Sequence, residues 1–544
     1  MRSTKQKITR RHFLAAPAAV AVAGAALPRS AHAFEATFAE PPQASELAKA
    51  AMLSARHCAH HAFTALGWLP RPFEADMLLN DQTLLRDVAT RAAEIVAQGS
   101  FGAKNFSRVE MVAAPKLKHG ARRIWAIMEP QDTIAYLTLV LLAAPLIEAN
   151  RIPSDGNIVH SHRFLPGRHR LFDEKFTHAS FRTAASEHAA SRAFVVTSDL
   201  TNCYGSISPE RTAAALDGCG VPGWQVDYIT QLLTYWQTPQ NSGLPIGPNA
   251  SRILSEAVLA RIDNRLRDAE IEYVRYSDDF RLFAANEPAA QLALEALRDA
   301  AASQGQTLNA DKTSILQLAK ATDGGSQQQA PKRRLEQLAS EGFNDNGIRS
   351  ASAAEIRMLR SVRNAPDADS FLQTEITSRA TLAQAIRRAI YAEDNGFLWA
   401  VPRLVDRYPE IAAYASCALA RASNFVMPGV RDHLRVEFAK MLLDPATPDF
   451  VAVKLIDLLS HPDYRDREAL VQFATARGVN PQGAAFRAVL DALRNTGGVM
   501  PDFASRFEEM DGWAKRALLA DPKLRGSITY TPSDSDLIAA KLAI

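Results

Sequence analysis

Cysteine is scarce. Four residues, Cys58, Cys203, Cys219 and Cys417, are scattered over 544 positions with no Cys-x-x-Cys pair. Neither a zinc site nor a disulfide framework is expected, and the usage suits a reducing compartment. An excess of one charge is missing too: 62 Lys and Arg against 59 Asp and Glu leave a net +3. Any surface for nucleic acid must then come from local clustering. Beyond the opening residues no run reads as apolar for long enough to cross a membrane. What the chain does have is hydrophobic bulk, 47% of its residues, over a length that predicts more than one domain.

The first 33 residues pull against a reducing compartment. They read MRSTKQKITRRHFLAAPAAVAVAGAALPRSAHA: a basic leader, an Ala/Val/Leu run and a small-x-small ending at Ala31-His32-Ala33. That is the layout of an export signal. Thr9-Arg10-Arg11-His12-Phe13-Leu14 resembles a twin-arginine signal, the kind that exports folded proteins. The competing expectation is a non-functional extension, with translation starting near Met52.

Patterning divides the rest. Residues 34–100 read as helical, through SELAKAAMLSARHCAHHAF and QTLLRDVATRAAEIVAQ. Residues 101–318 are mixed, with β-rich runs at RRIWAIM, AFVVTSDL and IEYVRYS between helical stretches. Residues 319–350 contain GGSQQQAPKRR and read as a linker or loop. Residues 351–544 are nearly all amphipathic helix in loosely even pairs, which predicts a helical-repeat or bundle domain. No acid-and-histidine cluster of nuclease type stands out there, so this part is expected to be non-catalytic.

The chemistry is concentrated in the mixed region. In YVRYSDDFRLF, Tyr273–Phe283, two adjacent carboxylates interrupt a strand-like run. Ser-Asp-Asp suits a turn, and a solvated acidic hairpin tip is one reading. The other is that Asp278 and Asp279 hold a hard cation with a further acid. Asp199, at the end of the buried run Phe194-Val195-Val196, is placed to face Asp278 across adjacent strands. Two such carboxylates suit two Mg²⁺ ions, with Mn²⁺ as an alternative, in an in-line displacement by a 3′-hydroxyl. Between them GLPIGPNASRILSEAVLARID, Gly243–Asp263, predicts a rigid turn and then a helix capped by Asn249 or Ser251. Lys312, in GQTLNADKTSIL, is available to protonate a leaving pyrophosphate.

In this order Asp199 with Tyr204 and Ser206-Ile207, GLPIGP, Tyr276-Ser277-Asp278-Asp279 and LNADKT resemble the palm of reverse transcriptases. KLKHGARRIWAIMEPQD looks like the fingers motif and SHRFLPG, Ser161–Gly167, like the next one; together the resemblance covers roughly residues 110–315. It implies an α+β right-hand polymerase, fingers and palm with an antiparallel sheet flanked by helices, followed by the all-α domain. The implied activity is that of an RNA-directed DNA polymerase, with deoxynucleotides, an RNA template (a dedicated noncoding RNA among the options) and a DNA product as partners. Carried over, Asp199, Leu200, Asp278 and Asp279 are the metal-holding set, Asp279 as a supporting acid. Tyr204 would be the gate that excludes a 2′-hydroxyl, and Gly243, Pro245 and Gly247 the substrate-side turn. Lys116, Arg122 or Arg123, and Arg163 would contact triphosphate or template; a solvated surface is the alternative for each.

The nearest resemblance is to bacterial reverse transcriptases of the retron and group II intron lineage. Abortive-infection and defence enzymes within it join a short palm to helical repeats. Their GLPxGPxxSxxLxE form is matched by Gly243, Pro245, Gly247, Pro248, Ser251, Leu254 and Glu256; Ser242 stands where intron and retron enzymes usually have Gln. An RNA-templated RNA polymerase usually carries Gly before the Asp pair and a second acid five residues after the first, which Ser277 and Tyr204 oppose. An idle RNA-binding scaffold and the enzyme of a retroelement or retron also compete. The expectation is a role in antiviral defence, with the helical C-terminus gripping RNA, DNA, a partner protein or a second copy, and no membrane partner. Because deoxynucleotides are scarce outside it, the cytoplasm is the expected location.

Overall fold

A computed structural model describes residues 43–61, 63, 72–115, 122–318, 352–361, 367–373, 379–476, 478–497, 501, 503–521 and 536–543. The leader, Lys116, the 319–350 segment and Arg363 lie outside the described residues.

Three helices come first: α1 (Ala44–His60), α2 (Phe73–Asn80) and α3 (Gln82–Ala97). The Asp81 carboxylate accepts the Thr83 and Leu84 N–H groups and so starts α3. A two-stranded antiparallel hairpin follows, β1 (Glu110–Pro115) and β2 (Arg122–Ile127), and then α4 (Pro130–Ala149). This helix corrects one expectation. It is long and apolar enough to cross a membrane, with an 18-residue stretch at mean hydropathy 1.6, but 72% of that stretch is buried inside the fold. A helix apolar on all sides belongs in a core, and α4 is packed against α1 and α3.

The next elements are α5 (His178–Ala189), β3 (Phe194–Asp199), the single turn α6 (Cys203–Ser206), α7 (Pro209–Gly218), α8 (Gly223–Tyr235) and α9 (Asn249–Asp268). After them come β4 (Tyr273–Tyr276), β5 (Asp279–Ala284), α10 (Glu287–Ser303) and β6 (Ser314–Gln317). The four strands form one antiparallel sheet in the order β4-β5-β3-β6. Alternation along the strands sorts the side chains. Val196, Tyr273, Phe280 and Leu282 enter the main core with α9 and α10. Val195, Val274 and Phe283 point the other way, onto Phe181 and Ala184 of α5.

The expected cap of α9 is absent. Pro248 occupies the cap position and no side chain bonds there. Asn249 instead meets His57 Nε2 at 2.6 Å, and Ser251 Oγ, fully buried, lies 3.2 Å from the Tyr136 hydroxyl. Tertiary partners took both polar groups away from the helix end.

The remaining helices are α11 (Ala353–Ser361), α12 (Ala368–Gln373), α13 (Arg379–Tyr391), α14 (Asn395–Trp399), α15 (Val401–Arg407), α16 (Ala412–Arg421), α17 (Pro428–Leu443), α18 (Asp449–Ser460), α19 (Arg467–Thr475), α20 (Ala484–Thr496), α21 (Gly512–Leu519) and α22 (Leu537–Ala543). Helices 13, 16, 18 and 20 pack in succession, each on the next of that series. Their core takes in Val112, Ala114 and Ile127, so the all-α part is seated on the β1–β2 hairpin. Helix α22 returns to α3, with Ile538 in the first core.

Candidate active site

Strand register sets the acids. Asp199 at the end of β3 stands opposite Asp279 at the start of β5. With Thr197, Val195, Arg281 and Phe283, both belong to the sheet face turned away from the main core. Asp278 occupies the turn between β4 and β5, and its carbonyl accepts the Leu200 N–H at 3.1 Å. Asn309 N–H donates to the Asp199 carbonyl at 2.7 Å, and Leu200 bridges to Leu308, so LNADKT lies against the same strand end. Asp199 and the adjacent pair Asp278-Asp279, from two distant parts of the chain, are thereby gathered at one edge.

Burial, then the nearby Asp199 charge, pushes Asp278 up to about 6. Burial also raises Asp279, with Arg281 opposing the shift; Arg281 is ion-paired with it. Carboxylates held this close disfavour each other's ionised form, and a divalent cation relieves that conflict. Among the described residues no three His, Cys, Asp or Glu side chains make a ready cage. Two carboxylates that leave coordination positions to water and phosphates still fit Mg²⁺ chemistry. Lys312 Nζ stands 2.6 Å from Asp199 Oδ2, a cation already paired with this acid.

The GLPIGP turn is seated on the strand end and on the fingers. A Cβ on Gly243 would collide with the Tyr204 carbonyl oxygen and lie 2.5 Å from that of Gly205, so only glycine permits the approach. Leu244 N–H donates to the same Tyr204 carbonyl at 2.9 Å. Gly247 has φ +139 and faces the Ala126 carbonyl, and Ala126 N–H donates to Ile246 O at 2.8 Å. Pro245 is buried within this turn. The turn thus ties β2 to Tyr204. Burial raises the Tyr204 hydroxyl, which bonds to Ser255, so it stays a neutral phenol.

The basic residues separate. The charge of Arg123 reaches Asp278, as does that of Lys312. Arg122, the neighbour of Arg123 on the other face of β2, lines a cleft of about 700 Å³ with Val109, Met111, Ala113, Ile124, Thr238 and Gln240. Arg163 does not reach the site. It is 3% exposed, with Nη1 on Glu148 at 3.0 Å, Nη2 on Ile152 O at 2.6 Å and Nε on Val159 O at 3.2 Å. Reading the sequence alone also passes over Arg275, Asp263 and Arg281. The available signal is an arginine at a core-facing position of β4, with two acids seven residues apart, Glu256 and Asp263, among the apolar residues of the buried face of α9.

Residues 155–343 match the family described as Reverse transcriptase (RNA-dependent DNA polymerase). The chain carries that polymerase fold and is an RNA-directed DNA polymerase, a nucleotidyltransferase; enzymes of this family generally use divalent metal ions. No curated protein matches it. Among solved structures it is similar to telomerase from Candida albicans in complex with a TWJ fragment of telomeric RNA, at 10% identity and TM-score 0.28, over 65% of this chain and 67% of that one. The corresponding Candida tropicalis telomerase gives 13% identity and TM-score 0.27, over 64% of each. At such scores neither likeness bears on function.

Proposed function

We propose that the chain copies an RNA template into DNA at the Asp199–Asp278 edge, with Mg²⁺ as the metal and Mn²⁺ as an alternative. The observation that carries the reading is the convergence of Asp199, Asp278 and Asp279 where the end of β3 meets the β4–β5 turn. Asp199 and Asp278 would hold two ions, with Asp279 beside them and Leu200 fixing the strand end. Bound there, the metals would supply activation of a 3′-hydroxyl and charge stabilisation on pyrophosphate. Lys312 would exchange its bond to Asp199 for one to pyrophosphate and give it a proton. Tyr204, steadied by the Gly243 turn, would stand against the sugar and exclude a 2′-hydroxyl.

The all-α part would hold template, product or a partner protein, its exposed arginines Arg357, Arg360, Arg403 and Arg407 supplying charge. The buried Arg387 is not available for that purpose. The biological role we favour is antiviral defence, supported by the helical C-terminus and by Ser242, and the location we favour is the cytoplasm. The test is incorporation of deoxynucleotides on primed RNA with Mg²⁺, alongside sequencing of nucleic acid that copurifies with the protein before and after protease. Incorporation dependent on RNA and metal is expected. A preparation free of nucleic acid and inactive on every primed template would overturn the reading.

A further inference from the structure

One residue before Tyr276, on the core face of β4, stands an arginine with no exposure at all, Arg275. Its guanidinium is gripped by two acids of α9. Nε and Nη2 donate to Asp263 at 2.9 and 2.5 Å, and Nη2 also donates to Glu256 at 2.9 Å. Those bonds compensate a buried charge. The remaining one does something else: Nη1 donates to the Ser277 carbonyl at 3.0 Å, inside the turn that carries Asp278.

The turn is the two-residue loop of the β4–β5 hairpin, closed by the Tyr276–Asp279 pair. Ser277 has φ +54, a left-handed conformation that disfavours any residue with a Cβ. Two consecutive carbonyls are fixed from outside, Ser277 O by Arg275 and Asp278 O by the Leu200 N–H next to Asp199. The clamp is itself braced. Glu256 accepts the Ser161 hydroxyl at 2.7 Å and pairs with Arg151 at 2.9 Å, while the Arg275 backbone pairs with Ile158 and His160.

We propose that Arg275, held by Asp263 and Glu256, is a positioning residue that sets where the Asp278 carboxylate stands relative to Asp199. The inference rests on the polymerase centre proposed above. Arg275 touches no substrate; it acts through the main chain of the turn. Lysine keeps its charge but lacks the fork that reaches two acids and a carbonyl together.

The test compares Arg275→Lys with Tyr273→Phe. The second variant removes a 2.9 Å hydroxyl bond to the same Asp263 without touching the turn. For Arg275→Lys, kcat for incorporation should fall on the order of 100-fold, with the deoxynucleotide KM little changed. Mn²⁺ affinity, read by electron paramagnetic resonance without substrate, should weaken on the order of 10-fold or more. Tyr273→Phe should keep both quantities near wild type. Adding Ser277→Gly to Arg275→Lys should restore part of each, because glycine takes a positive φ without the clamp. A folded Arg275→Lys with wild-type kcat and Mn²⁺ binding overturns the proposal, as does a loss shared equally by Tyr273→Phe and untouched by Ser277→Gly. If Arg275→Lys does not fold, Asp263→Asn takes its place under the same outcomes. Should the wild type incorporate nothing, the polymerase reading fails separately, and the Mn²⁺ comparison still decides: equal binding, or none in either protein, overturns the positioning role.

Discussion

At the scale of single residues, the site holds charges that folding alone would not place together. Asp278 is pushed up to about 6 by burial and by Asp199, so its ionised form destabilises the metal-free protein near neutral pH. Asp278→Asn should therefore leave the melting temperature unchanged or raised while lowering incorporation on the order of 10³-fold, since a metal ligand accounts for several kcal/mol of barrier. Calorimetry beside primer extension reads both, and a variant that keeps normal incorporation would falsify the assignment. Asp278 and Asp279 alone read equally well as a solvated hairpin tip; it was Asp199 at the end of a second buried run that let the three be read together. Arg163 was not legible, because its role is decided by Glu148, fifteen positions away, whose orientation depends on how α4 packs. Arg275 was hidden for the same reason: its partners sit on another element.

At the scale of elements, the strands β2 to β5 were legible from their β-branched and aromatic runs, whereas the start of α9 was not, since Asn249 and Ser251 bond to distant partners. The contact between the Gly243 turn and α6 is backbone on backbone. Gly243→Ala should cost about 1–3 kcal/mol and also lower incorporation by shifting Tyr204; thermal melts and primer extension check the two together. Helix α20 shows a different joint. Gly483 offers it no side-chain cap, and the Ala484 N–H is taken at 2.8 Å by Glu110 of β1. Burial pushes this acid up to about 8. The folded protein keeps a proton that an unfolded chain releases near 4.5, so this stabilisation is full in acid and is lost as pH rises through 8. Glu110→Gln keeps an acceptor and removes the titration. It should melt near wild type at pH 5 and higher at pH 8, by on the order of 2 kcal/mol after allowing for Glu110's partial exposure. Parallel pH dependence in both proteins would count against it.

At the scale of the whole molecule, Arg516 of α21, 3% exposed, binds Glu74 of α2 at 3.2 Å, Glu129 before α4 at 2.5 Å and Asp536 before α22 at 2.8 Å. Arg516→Ala takes this cation from Glu129 and Asp536 and leaves Glu74 to Arg487 alone, and should cost about 3–5 kcal/mol; a melting temperature indistinguishable from wild type would refute the clasp. Nothing local announces such a contact, because Arg516 and Glu74 lie 442 positions apart. That separation has a consequence in time. At about 5–20 residues per second, a ribosome needs roughly 20–90 s to travel from one to the other. Once Lys312 has been added, for roughly 10–40 s before Arg516 follows, the nascent chain already carries Asp199 and Asp278 as well, while the hairpin that is to seat the last helices has an apolar face without its partners. A polypeptide stalled within that window carries every catalytic side chain on an unfinished scaffold, so competence to polymerise is acquired late in translation and nearly all at once.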